Sequence, residues 1–93
     1  MVEEWEITAH KMVDEILSLK GDHRLAMKYF LTYRSVGDLL AIKELKEKYG
    51  INEAEDVILD LMNMRLLEKG EGCINLPSPL RRYVGRKRAR INL

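Results

Sequence analysis

Glutamine does not occur in this 93-residue chain, cysteine and tryptophan occur once each, and proline and histidine only twice. A lone thiol, Cys73, excludes an internal disulfide and is compatible with a reducing cytosol. Its plainest role is that of a small buried side chain. With His10 and His23 as the only imidazoles, there is little to build a metal centre or a general base. His10 and Asp14 stand one helical turn apart, but two ligands without a Cys or a second His at finger spacing are explained by a solvated helix face. The chain also has no phosphate-cradling glycine loop and no glycine-flanked nucleophilic serine. These absences point away from an enzyme, and neither a cofactor nor a metal is expected.

Long hydrophobic runs are missing too. No stretch approaches the roughly 18 to 20 apolar residues of a transmembrane helix, and the acidic start, with Glu3, Glu4 and Glu6, is unlike a signal peptide. The expectation is a cytoplasmic protein with no membrane partner. Charged residues make up 33% of the chain, and the dominance of Lys and Glu with no Gln leans towards a heat-adapted protein.

What the chain does contain is charge, unevenly spread. The formal net charge is +1, yet residues 77–93 carry Arg81, Arg82, Arg86, Lys87, Arg88 and Arg90 with no acid, while residues 1–76 hold 10 basic and 15 acidic groups. A tail of +6 on a body of −5 points to a nucleic acid, an anionic surface or an acidic protein as partner of the basic end. The length suits one small domain, able to bury about 60 to 65% of its unfolded surface. No internal repeat or low-complexity tract appears.

Periodicity divides the chain. Residues 3–20 read as an amphipathic helix with Trp5, Ala9, Met12, Val13, Ile16, Leu17 and Leu19 on one side, closed by Lys20-Gly21. That stripe either covers the domain's own core or, through Trp5 and Met12, forms a partner or dimer surface. Asp22 is placed to cap a second helix over residues 23–34, rich in apolar side chains and hence central. Ser35 to Asp38 breaks the pattern. A third helix over 41–49 carries Ile42, Leu45 and Tyr49 on one face, and Gly50 stops it where a left-handed residue costs least. Asn52, with Glu55 three residues on, is placed to cap a fourth helix near 53–65 whose stripe is Ala54, Val57, Ile58, Leu61 and Met62. The alternating segments on either side of Gly70-Glu71 then fit a hairpin over 66–76. Tyr29, Phe30, Ile42, Leu45, Val57, Ile58 and Leu61 are the expected core.

After the hairpin, Pro77-Ser78-Pro79 ends the strand, Ser78 and Pro79 favour one or two helical turns through Val84, and Leu80, Tyr83 and Val84 can dock on the body. Gly85 is expected to release the chain into a basic run that stays mobile until it binds something. The domain reading is therefore one unit over 1–84, comprising a first helix over 1–21, a core over 22–76 and a docking turn over 77–84, followed by a tail over 85–93.

Helix, tight turn, helix and hairpin in unbroken succession from Val36 to Leu76 resemble the winged helix-turn-helix family, of the small archaeal type. The resemblance covers the middle half of the chain plus the helix before it. It implies a mainly α fold with a small β-hairpin wing, an extra amino-terminal helix and a short carboxy-terminal helical turn. It also implies a short strand that pairs with the wing, for which Leu39-Leu40 is the candidate, against the rival reading of a helix starting already at Asp38. By resemblance, Asn52 to Arg65 is the recognition helix that enters the major groove, and Lys69 to Cys73 the wing tip.

The residues of that recognition helix do not suit phosphates. Its outward positions include Glu53, Glu55, Asp56 and Asp60, the first base is Arg65, and beyond Asn52 and Asn63 nothing is available for base edges. The acids suit instead the positive end of the helix dipole and a protein contact. The preferred function is thus a small accessory or adaptor subunit of a replication or transcription complex, docked on a larger protein such as a DNA polymerase. Its contacts to DNA, or to RNA, would come from Arg81, Arg82, Arg86, Lys87, Arg88 and Arg90, aided by Lys69 and Arg65. Its protein contacts would come from Trp5, Met12, Glu53, Glu55, Asp56 and Asp60. The alternative is a sequence-specific DNA-binding regulator acting as a homodimer. A solubilising terminus, or nonspecific RNA affinity, is the bland reading of the tail.

Overall fold

The computed structural model describes residues 2–86 together with residues 91 and 93. Its elements, in order, are α1 (Glu4–Ser18), α2 (Gly21–Tyr33), β1 (Ser35–Gly37), α3 (Asp38–Glu47), α4 (Ala54–Asn63), β2 (Glu68–Lys69), β3 (Cys73–Asn75) and α5 (Ser78–Arg86). The fold is mainly helical with a small antiparallel wing sheet, in the order β1-β3-β2. Val36 lies opposite Ile74 in the ladder, and Lys69 faces Ile74 from the other side.

α2 is the central helix, packed against α1, α4 and β1. Its Ala26, Met27, Tyr29 and Phe30 are buried. α1 spans the back of the domain and packs on α5, contributing Ala9, Met12 and Ile16. α4 buries Ala54, Val57, Ile58 and Leu61, all members of the expected stripe. Six of the seven expected core residues are buried; Ile42 is half-buried and packs on the core from its edge.

The strand that pairs with the wing is Ser35–Gly37, not Leu39-Leu40, and the helix starts at Asp38. Tertiary bonding decides this boundary. The Asp38 N–H donates to the Gly72 carbonyl at 3.0 Å, and the Asp38 carboxylate accepts from the Leu39 N–H at 2.7 Å. The strand buries only Val36, too little to leave a period-2 signal.

Two expected caps do not form. α2 begins at Gly21, so Asp22 sits within its first turn, where its charge still meets the helix dipole favourably. At α4 the cap position is taken by Glu53 without a side-chain bond, Asn52 belongs to the turn before it, and Glu55 reaches Lys46 at 3.2 Å instead of the backbone.

The ends of α3 and α4 use different residues for one purpose. Gly50 ends α3's connection at φ +67°, and the Ile51 N–H folds back to the Leu45 carbonyl at 3.0 Å, as its position predicts. α4 closes on Arg65 at φ +61°: the Leu66 N–H donates to Leu61 O and the Arg65 N–H to Met62 O, each at 2.9 Å. That is the Schellman pattern, sealed by the buried pair Leu61 and Leu66. Leu66 and Leu67 are therefore spent on closing α4 over the core, and the hairpin ladder starts only at Glu68.

α5 runs through Gly85 to Arg86, longer than the turn or two expected, so Gly85 does not release the chain. The expected mobile run falls on Lys87, Arg88 and Arg90, which lie outside the described residues. Ile91 and Leu93 pack against the core as partly buried side chains.

Candidate docking and nucleic-acid interface

Two surfaces hold most of the described residues singled out from the sequence. One is the outer side of α4 with its neighbours α3 and the wing. The other is the ridge where α5 lies on α1.

α4 turns Val57, Ile58 and Leu61 inwards, which leaves Glu55, Asp56, Leu59, Asp60 and Asn63 outside. Between it, α3 and the wing lies a groove of about 250 Å³. Asp38 and Ile42 form the α3 wall, Glu55, Ile58, Leu59 and Met62 the α4 wall, and Lys69 and Ile74 the wing wall. Its floor and one lip are apolar: Leu59 is 56% exposed, while Ile42 and Met62 are half-buried beneath. Leu39, one turn before Ile42 on α3 and so on the same side, is 80% exposed.

The acids of α4 are divided between structure and surface. Asp60 meets His23 of α2 at 2.9 Å and thereby joins α4 to the central helix; Glu55 pairs with Lys46 across the α3–α4 gap. Glu53 and Asp56 stand exposed at the helix's amino end. Such acids gain about 0.3 to 1 kcal/mol each from the helix dipole.

On the second surface, the Arg82 guanidinium lies over the Trp5 ring, 4.5 Å from its centroid, and His10 meets Tyr83 edge to face at 5.3 Å. A partly exposed cation on an indole stabilises by roughly 0.5 to 2 kcal/mol. Trp5, read as a partner contact, and Arg82, read as a nucleic-acid contact, are thus brought together with each other. Arg81 is exposed on α5, and Arg86 follows at its end. Lys87, Arg88 and Arg90 lie outside the described residues.

Met12 is buried among core side chains, where it also lines a second groove of about 350 Å³ with Thr8, Lys11 and Glu15 of α1. Arg65 is exposed on the rim of that groove, opposite Pro77 and Pro79. Lys69 lines the first groove from the wing. Among the described basic residues, Arg65 and Lys69 line separate grooves, and Arg81 and Arg82 lie on α5.

Among the described residues no three His, Cys, Asp or Glu side chains come together in a way that could hold a metal ion. No helix among them is long and apolar enough to cross a membrane. What the sequence reading missed is the exposed apolar side of the groove, Leu59 and Met62 in its wall with Leu39 exposed beside it. The signal was present: Leu59 lies off the buried stripe, a leucine in an otherwise acidic face.

These features define a small mainly α domain with a three-stranded sheet, whose helix α4 exposes carboxylates and leucine rather than bases. The chain belongs to the PolB1 Binding Protein 2 family, whose family model matches residues 20–82. The match runs from just before α2 into the first half of α5 and takes in all three walls of the groove. A comparison with curated proteins gives no match.

Proposed function

We propose that the protein is a non-catalytic accessory subunit that binds a DNA polymerase of the B1 type through its folded body, with its arginine-rich carboxy-terminal end contacting DNA. The observation that carries this reading is the outer face of α4. The order α2, β1, α3, α4, β2, β3 is compatible with the winged helix-turn-helix arrangement, in which α4 would be the groove-reading helix. Here that helix exposes Glu53, Glu55, Asp56 and Asp60 around Leu59. Carboxylates brought within a Debye length of about 8 to 10 Å of phosphates repel them, and a leucine has no bond to offer a base edge. The same face is suited to protein, and the family's name supplies the partner. A winged fold does not by itself decide between the two uses.

The test is recovery of the polymerase by the full chain from purified components, with and without nuclease. Nuclease-resistant binding is the expected result. Binding to duplex DNA that is selective for sequence, and lost on replacing Asn52 or Asn63, together with no affinity for the polymerase, would establish the dimeric regulator instead.

A further inference from the structure

We propose that the groove between α3, α4 and the wing is the polymerase-docking site, and that it receives a segment of the polymerase presenting an apolar side chain flanked by lysine or arginine. This rests on the accessory-subunit reading and assigns it a surface and a partner chemistry.

Three observations fix the occupant. The first is size: about 250 Å³ is below the roughly 300 to 1,000 Å³ of small-molecule sites but suits one or two inserted side chains of a protein segment. The second is chemistry. Leu59 lines the groove while exposed, Ile42 and Met62 line it half-buried, and Leu39, exposed one turn before Ile42 on α3, flanks it, which together make an apolar anchor site. The third is charge. Residues 35–76, which build the groove, hold 5 basic and 9 acidic groups, and Asp38 and Glu55 line it against Lys69 alone. A phosphate chain would meet carboxylates and leucine there; a basic, apolar protein segment is complementary on both counts. A second copy meeting this face with its own would bring like charge together.

Affinity of the full chain for purified DNA polymerase B1 decides the matter, measured by titration calorimetry for the wild type and for Leu59→Glu, Leu39→Glu, Glu55→Lys and Leu17→Glu. Leu17, exposed on α1 away from the groove, serves as the control. Both lip residues are exposed, so their variants should melt with the wild type; having two guards against one that folds badly. The expected result is a loss of about 30-fold or more for each lip variant and less than twofold for Leu17→Glu. Glu55→Lys should weaken binding several-fold at low salt and less at high salt.

Wild-type binding that survives both lip substitutions overturns the groove while leaving the accessory reading intact. No wild-type binding overturns both. Tighter binding by Glu55→Lys overturns the basic partner segment. If the lip variants abolish self-association in sedimentation and leave the polymerase affinity unchanged, the groove belongs to a second copy and the proposal fails.

Discussion

Glu44 accepts two hydrogen bonds at once, from Lys48 Nζ at 2.8 Å on its own helix and from the Tyr29 hydroxyl at 2.7 Å on α2. The Lys48 bond first and the Tyr29 bond second hold its carboxyl below the ordinary value of 4.5, while burial works the other way. Because the folded carboxyl is the stronger acid, this contribution to stability is complete above about pH 4.5. It fades as pH falls through the lower folded value. Tyr29 is shifted upwards, chiefly by burial and then by its bond to Glu44, so its contribution is complete below its ordinary 10.0 and fades only in strong alkali. Glu44→Gln should therefore flatten the acid limb of a denaturant-derived stability profile below pH 4.5. An acid limb of unchanged steepness would show that the triad does not couple α2 to α3. Other single residues carry burdens that composition hides. Arg65 occupies the left-handed position that glycine usually fills at a helix end, and nothing in its chemistry announces it. Arg82 reads as one more tail cation, yet its stacking on Trp5 depends on two segments 77 residues apart in the chain meeting in space.

At the scale of elements, the four long helices and the hairpin are legible because each buries a stripe whose period is written in the chain. α4 shows it best, with Ala54, Val57, Ile58 and Leu61 all buried. The boundaries are less legible, since they answer to partners distant in sequence. The start of α3 depends on the Gly72 carbonyl, and the late start of β2 depends on Leu66 closing over Leu61. The site divides in the same way. Its acids and Leu59 were readable on the exposed face of a helix, but Leu39 was not, because it reads as a strand residue until α3 is known to begin at Asp38. α5 offers a test of such a boundary. Gly85 lies inside the helix, and among the described residues a Cβ there would meet Arg34 Nη1 at an ordinary 3.5 Å. Gly85→Ala should accordingly raise stability by about 0.5 to 1 kcal/mol, the difference in helix propensity, as seen in a shifted denaturation midpoint at unchanged slope. A loss of stability would mean that α5 ends before Gly85 in solution, as the glycine suggests when the sequence is read alone.

Along the whole sequence, charge is segregated between an acidic body and a basic carboxy-terminal segment. The six basic groups of residues 77–93 face no acid within their own segment, whereas the body carries a net −5. If all six neutralise phosphates, the logarithm of duplex affinity should fall with the logarithm of salt at a slope of about −5, near 0.9 per contact. Cutting the chain after Gly85 would be a poor test, because it would also remove Ile91 and Leu93, which pack on the core. Replacing Arg86, Lys87, Arg88 and Arg90 by Gln keeps that packing and removes four of the six charges. The slope should then drop to about −2, with little change in melting. Arg82 counts for less than a free cation, since reaching a phosphate requires it to leave Trp5 or to bring the ring along, and Trp5→Ala should alter the slope by no more than about 1. If the acids of α4 meet protein and not phosphate, as proposed, Glu53, Glu55 and Asp56 replaced together by Gln should leave duplex affinity nearly unchanged and weaken polymerase binding. A rise in duplex affinity of tenfold or more from the same substitutions would put α4 against DNA. The charge segregation would then mark a duplex reader restrained by its own carboxylates.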